Sequence, residues 1–239
     1  MPHKTFNLDE VARYLHLNAE EVQRYVRERI IPHEERGGRL VFKRSEVDAW
    51  ASRRILGASE KRLKTYHKLS SARVYDLSKD HALMPELLRG EFVEPALASR
   101  TKASVIRDMV KLADRTELVN DATDLLKSLE ERERLCTTAL PGGVALLHPH
   151  THDAYRVSDS FIVFGRAVQP LPFGSPDGST TDLFFLVCCQ NDRLHLHVLA
   201  RICMMCHHTD LLMTLREASD ASALFEALIA AEQEVIRQM

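Results

Sequence analysis

The run ERERLCTTALPGGVALLHPHTH, residues 131–152, decides how this chain is read. Pro141-Gly142-Gly143 carries turn chemistry, and the uncharged Val144-Ala145-Leu146-Leu147 demands a buried setting, as a short strand does. His148 then stands where that strand reaches solvent. A neutral imidazole, with a pKa of about 6.5, keeps a free lone pair near neutral pH, so His148 is a candidate nucleophile. A phosphoryl group bound there needs cationic and hydrogen-bonding partners. Arg132 lies one helix end and one turn upstream, and His195-Leu196-His197 lies downstream.

The order of these residues resembles the IIA domains of the fructose, mannitol and nitrogen-related branch of the bacterial phosphotransferase system. In that family a Glu-Arg-Glu segment leads through Ser/Thr-Thr and a Gly-rich turn into a strand closing in Ala-Ile-Pro-His. Here the order is Glu131-Arg132-Glu133, Thr137-Thr138, Gly142-Gly143 and Ala145-Leu146-Leu147-His148, with Leu147 in place of the usual proline. A second family histidine follows a long strand at the start of a helix, as His195 does in NDRLHLHVLARI. The resemblance covers residues 82–239 and implies an α/β fold, a small mixed sheet flanked by helices. It also implies that His148 takes a phosphoryl group from an HPr-like phosphocarrier. Arg132 would neutralise the moving oxygens, His195 would hydrogen-bond them, and Thr138 would assist.

The chain has 239 residues, enough for two domains, and a net charge of −2 that is unevenly placed. Residues 1–73 carry 16 Lys+Arg against 10 Asp+Glu, whereas residues 74–239 carry 16 against 24. A basic front and an acidic back suit different partners, nucleic acid for one and protein for the other; an ordinary solvated surface also fits. No apolar run approaches the ~18 residues of a membrane span, and MPHKTFNLDE lacks a signal-peptide core, so a cytoplasmic protein is expected. Five cysteines, an odd number with Cys188-Cys189 adjacent, predict reduced thiols.

In residues 1–55, Asn7 with Glu10 and Asn18 with Glu21 form two capping boxes, each opening a short helix with apolar helical spacing. Arg36-Gly37-Gly38-Arg39 turns the chain before the strand Leu40-Val41-Phe42, and Ser45 with Asp48 reads as a third box ahead of a helix through Trp50. Helix, helix, Gly-Gly hairpin and helix resemble the excisionase and MerR-like family, a mainly α, winged helix-turn-helix. Family members set the second helix in the major groove and the wing over the backbone. The matching positions here are Gln23, Arg24 and Arg27 on the helix, with Arg36, Arg39, Lys43 and Arg44 in or beside the wing. The carboxylates Glu20 and Glu21 repel phosphate, which leaves a protein-binding or dimerisation module as the alternative.

Residues 56–81, with Lys61, Arg62, Lys64 and Lys68, read as a linker. In residues 82–239 helices are expected from Thr101, over 122–134, and over 194–206, 208–217 and 220–237, with strands over 160–168 and 182–190 and a loop, PLPFGSPDGST, between them. His148, His150 and His152, alternating on one strand face, would converge with His195 and His197 on zinc, but no Cys, Asp or Glu completes an established spacing. Cys203-Met204-Met205-Cys206-His207 matches the haem attachment pattern yet lies in an amphipathic helix. No metal or cofactor is expected. The reading is a transcription regulator joining DNA binding, with pairing as a homodimer across two half-sites, to a phosphohistidine carrier. Its alternative is a IIA-like sensor or interaction module without catalysis.

Overall fold

The computed structural model describes residues 5–15, 17–57, 81–151 and 155–239. The expected linker cations Lys61, Arg62, Lys64 and Lys68, and also His152, lie outside the described residues. In the N-terminal unit a short strand β1 (Thr5–Phe6) precedes helices α1 (Leu8–Tyr14) and α2 (Ala19–Arg27). Both capping boxes form: the Glu10 N–H donates to Asn7 Oδ1 at 2.9 Å and the Glu21 N–H to Asn18 Oδ1 at 2.8 Å, each answered by the glutamate carboxylate. Replacing Asn18 by alanine orphans one donor of a nine-residue helix and is expected to cost about 1 kcal/mol. A lowered urea midpoint at unchanged slope is the measurement.

Strands β2 (Glu34–Arg36) and β3 (Arg39–Lys43) form the wing, with Gly37 and Gly38 at φ 56° and 74°. Positive φ at both central residues is the turn whose twist matches a two-residue hairpin, and glycine takes it without strain. Strand β1 pairs with the other side of β3, giving the order β1-β3-β2. Helix α3 (Arg44–Leu56) starts directly after β3. The third capping box does not form. Lys43 is the N-cap, without a side-chain bond, and Asp48 is buried and accepts from the Tyr14 hydroxyl at 2.8 Å.

The larger unit opens with α4 (Met84–Leu87), a 3-10 turn and strand β4 (Val93–Leu97), followed by α5 (Lys102–Asp114) and α6 (Ala122–Leu135). Strands β5 (Ala139–Leu140), β6 (Val144–Leu147), β7 (Phe161–Leu171) and β8 (Thr181–Cys188) complete a mixed sheet of order β4-β7-β8-β6-β5. Helices α7 (Asp192–His208), α8 (Leu211–Glu217) and α9 (Ala221–Gln238) follow. This is the expected α/β architecture, with two differences. Strand β7 runs past the expected 168 to Leu171, and Pro170 is tolerated because the β7–β8 ladder shifts register between Arg166 and Leu171. His148 and His150 share no strand face, since β6 ends at Leu147, ahead of Pro149.

Strand β6 is buried along its whole length and pairs parallel with β8. Gly142 and Gly143, at φ 88° and 81°, turn the chain into it. A side chain on Gly143 would meet Arg216 Nη2 at 2.5 Å, where that guanidinium clasps the Gly142 carbonyl and the Asp182 carboxylate. The two units share one core: α3 lies along α7, and their buried apolar residues are contiguous. No helix among the described residues is long and apolar enough to cross a membrane.

Candidate functional site

Strand β6 delivers His148 to its C-terminal end with the ring fixed by the backbone: Nδ1 lies 2.8 Å from the Leu146 carbonyl oxygen. A carbonyl only accepts, so Nδ1 carries the proton and Nε2 holds the lone pair. That lone pair accepts from Arg132 Nε at 2.9 Å. Arg132 lies in the last turn of α6, fully buried, and its Nη1 donates to the Cys136 carbonyl and sulfur, both at 3.1 Å. Nη2 is buried and has no hydrogen-bond partner among the described residues. An unspent buried guanidinium N–H is costly, and sites that bind an anion are where such donors are kept.

The His195 ring approaches from α7, its centroid 4.8 Å from that of His148 and tilted by 49°. Asn191 caps this helix by accepting from the Leu194 N–H at 2.9 Å, which places His195 in the first turn. Arg132, His148 and His195 are thus together, with 0%, 1% and 0% of their surfaces exposed. Thr138 lies beside β6, its carbonyl accepting from the Leu146 N–H at 3.1 Å, but its hydroxyl is engaged elsewhere. Its hydroxyl donates to Glu133 Oε2 at 2.6 Å, and its N–H goes to the same carboxylate. Lys102 pairs with Glu133 at 2.6 Å, so these residues brace the chain between α6 and β5.

Sequence reasoning missed the stripe that holds the site. Asp124, Ser128 and Arg132, four residues apart on one face of α6, engage in turn Arg156, the His150 N–H and His148, at 2.8, 3.0 and 2.9 Å. Polar residues at spacing four on an otherwise amphipathic helix were the signal. Among the described residues, which leave out His152, no group of three His, Cys, Asp or Glu is arranged to hold a metal. Burial pushes the Cys188 thiol up to about 12 and Cys203 well above its ordinary value, which suits packed, unreactive sulfur.

On the N-terminal unit Gln23, Arg24, Arg27 and Arg39 are exposed. Arg36 and Lys43 share Glu34, at 2.6 and 2.5 Å, and Lys43 also reaches Glu46. Hydrogen bonds from Lys43 and Arg36 hold the Glu34 carboxyl below its usual value. Arg44 differs from all of these, because its guanidinium is bound to Asp192 of α7. Burial works against its charge and the carboxylate outweighs that, raising its pKa.

Over residues 86–231 the chain matches the family described as phosphoenolpyruvate-dependent sugar phosphotransferase system, EIIA 2, and over residues 5–55 a helix-turn-helix domain. It is similar to a nitrogen regulatory protein of Bradyrhizobium diazoefficiens, 30% identical over 145 residues that cover 60% of this chain and 92% of that protein. Among solved structures it is similar to the nitrogen regulatory protein IIA-Ntr of Neisseria meningitidis, with 26% identity, a TM-score of 0.55, and coverage of 60% of this chain and 97% of that one. It shares its fold with the mannitol IIA enzyme of Escherichia coli, solved in complex with phosphorylated mannitol IIB, at 19% identity, a TM-score of 0.53 and coverage of 60% and 97%.

Proposed function

The chain belongs to the phosphoenolpyruvate-dependent sugar phosphotransferase system EIIA 2 family, joined to a helix-turn-helix domain, and from that premise we propose a cytoplasmic DNA-binding regulator whose His148 accepts a phosphoryl group from an HPr-type phosphohistidine carrier. One observation carries the reading: His148 Nε2 is the unprotonated nitrogen, and it lies against a buried arginine with a donor to spare. In transfer, the Nε2 lone pair forms the new N–P bond while the electron pair of the broken N–P bond stays with the donor imidazole. The Leu146 carbonyl keeps the Nδ1 proton in place, so no proton leaves His148. Arg132 exchanges its bond to Nε2 for phosphoryl oxygens, with Nη2 already aimed into the site. His195, one ring away, donates to the same oxygens. Such catalysis is positioning and charge stabilisation.

Given phosphoenolpyruvate, enzyme I and HPr, the protein is expected to acquire acid-labile, base-stable label, and peptide mapping should place it on His148. A wild-type protein left unlabelled beside a labelled control IIA protein would overturn the carrier role. The burial of His148 favours a second reading, a IIA-type module that binds a partner without taking phosphate, and the same experiment separates the two. Attachment to a helix-turn-helix supports regulation over sugar uptake, with DNA meeting Gln23, Arg24, Arg27 and the wing.

A further inference from the structure

Arg44 stands at the first position of α3, directly after the wing, where Arg39 and Lys43 precede it by five residues and one. Its Nε donates to Asp192 Oδ2 at 2.7 Å, and Nη2 donates to the same oxygen. Asp192 is the first residue of α7 and is 5% exposed, while 30% of the Arg44 side chain remains open. Residues three apart on a helix share a face, so Asp192 lies one turn from His195. The helix-turn-helix unit is thereby fastened, through α3 along α7, to the helix that supplies one of the two site histidines.

We infer that Arg44 serves two partners in turn: bound to Asp192 it holds the helix-turn-helix unit on α7 in a closed form, and released it joins the wing cations on a DNA phosphate. The inference rests on the function proposed above and deepens it by naming the regulatory contact. One guanidinium satisfies the Asp192 carboxylate or a phosphate in that place, and the two choices exclude each other. A phosphohistidine carried by another protein reaches His148 only after the site opens, since 1% of the residue is exposed. On this proposal the release of α3 from α7 is also what uncovers the site, so DNA and the phosphoryl donor favour the same open form and each promotes the other.

The test uses the full chain with Asp192→Asn, and with the exchanged pair Arg44→Asp plus Asp192→Arg. Without DNA or donor, Asp192→Asn is expected to speed amide hydrogen exchange in α3 and the first turn of α7 by about fivefold or more. Strands β7 and β8 should keep their wild-type exchange, and the exchanged pair should return α3 and α7 toward wild type. Equal exchange in all three proteins, or an exchanged pair no better than the single variant, would overturn the latch. With a random-sequence DNA duplex as probe, Asp192→Asn should bind more tightly than wild type, with a salt slope steeper by up to about 0.9, the value of one further phosphate contact. An unchanged slope, or no binding by either protein, removes Arg44 from the DNA face and overturns the shared role. The same duplex should accelerate labelling of wild-type His148 by about fivefold or more, and an unchanged or slower rate contradicts the common open form. If no condition labels His148, the phosphoryl reading fails by itself, because exchange and salt slope judge Arg44 without it.

Discussion

Replacing Arg132 by alanine is expected to slow phosphoryl transfer to His148 by about 10²–10³-fold at saturating donor, the usual cost of one preorganised donor in a water-poor site. The geometry explains why the loss should fall on the chemical step. Arg132 meets His148 through Nε, rests on Cys136 through Nη1 and keeps Nη2 uncommitted, so a fixed fork faces His148, where the proposed transfer would build up charge. The guanidinium is fully buried, which strengthens its field on that charge. Arg132→Lys keeps the charge and loses the fork, so it should recover part of the rate and not all of it. Thermal melting of both variants separates a chemical effect from a folding one, and a wild-type rate in folded Arg132→Ala would leave Arg132 a structural role only. Thr138→Val, by contrast, should act mainly on stability, because its hydroxyl is spent on Glu133.

What could be read from sequence divides along the range of the interactions. The boxes at Asn7 and Asn18 are legible because donor and acceptor lie three residues apart, and nothing distant competes for them. Ser45 and Asp48 have the same spacing and fail, since the helix already starts at Arg44 and leaves Ser45 inside its first turn, while Asp48 accepts from Tyr14, 34 residues away. The apolar run of β6 announces its burial, and the resemblance brought Arg132 and His195 to His148. It also suggested Thr138, which lies five residues from a glutamate that binds it first. Strand β4, with Glu94 and Pro95 in five residues, lacks alternation and is a strand by virtue of its place at the sheet edge. Arg44 and Asp192, 148 residues apart, look like two unrelated surface charges until the units are packed.

Glu232→Gln is the stability counterpart, with an expected loss of about 3–5 kcal/mol. Arg201 and Glu232 are both fully buried and pair at 3.0 Å between α7 and α9, in stretches that read from sequence as ordinary amphipathic helix. The carboxylate also accepts the N–H groups of Leu83 and Met84 at 2.8 and 2.7 Å, fastening the start of the larger unit to both helices. Burial pushes the Glu232 carboxyl up, with the Leu83 and Met84 N–H groups and Arg201 opposing it, and burial likewise lowers Arg201. A carboxyl raised in the folded state contributes stability below its unfolded pKa and loses it as pH rises through the folded one. Burial thus works against both charges of the pair, and its role is to fix how the start of the unit meets α7. Removing the charge of Glu232 alone takes the carboxylate from the buried Arg201 guanidinium, which keeps the His81 carbonyl at 3.3 Å, and that uncompensated charge is the source of the large loss. The double variant Arg201→Met with Glu232→Gln removes that stranded charge and keeps an acceptor for one backbone N–H, so it should be more stable than Glu232→Gln alone. Urea unfolding of the two single variants and the double gives the coupling between them. A double variant as unstable as the sum of its parts would mean that the two residues are not coupled and that the argument from the buried pair is wrong.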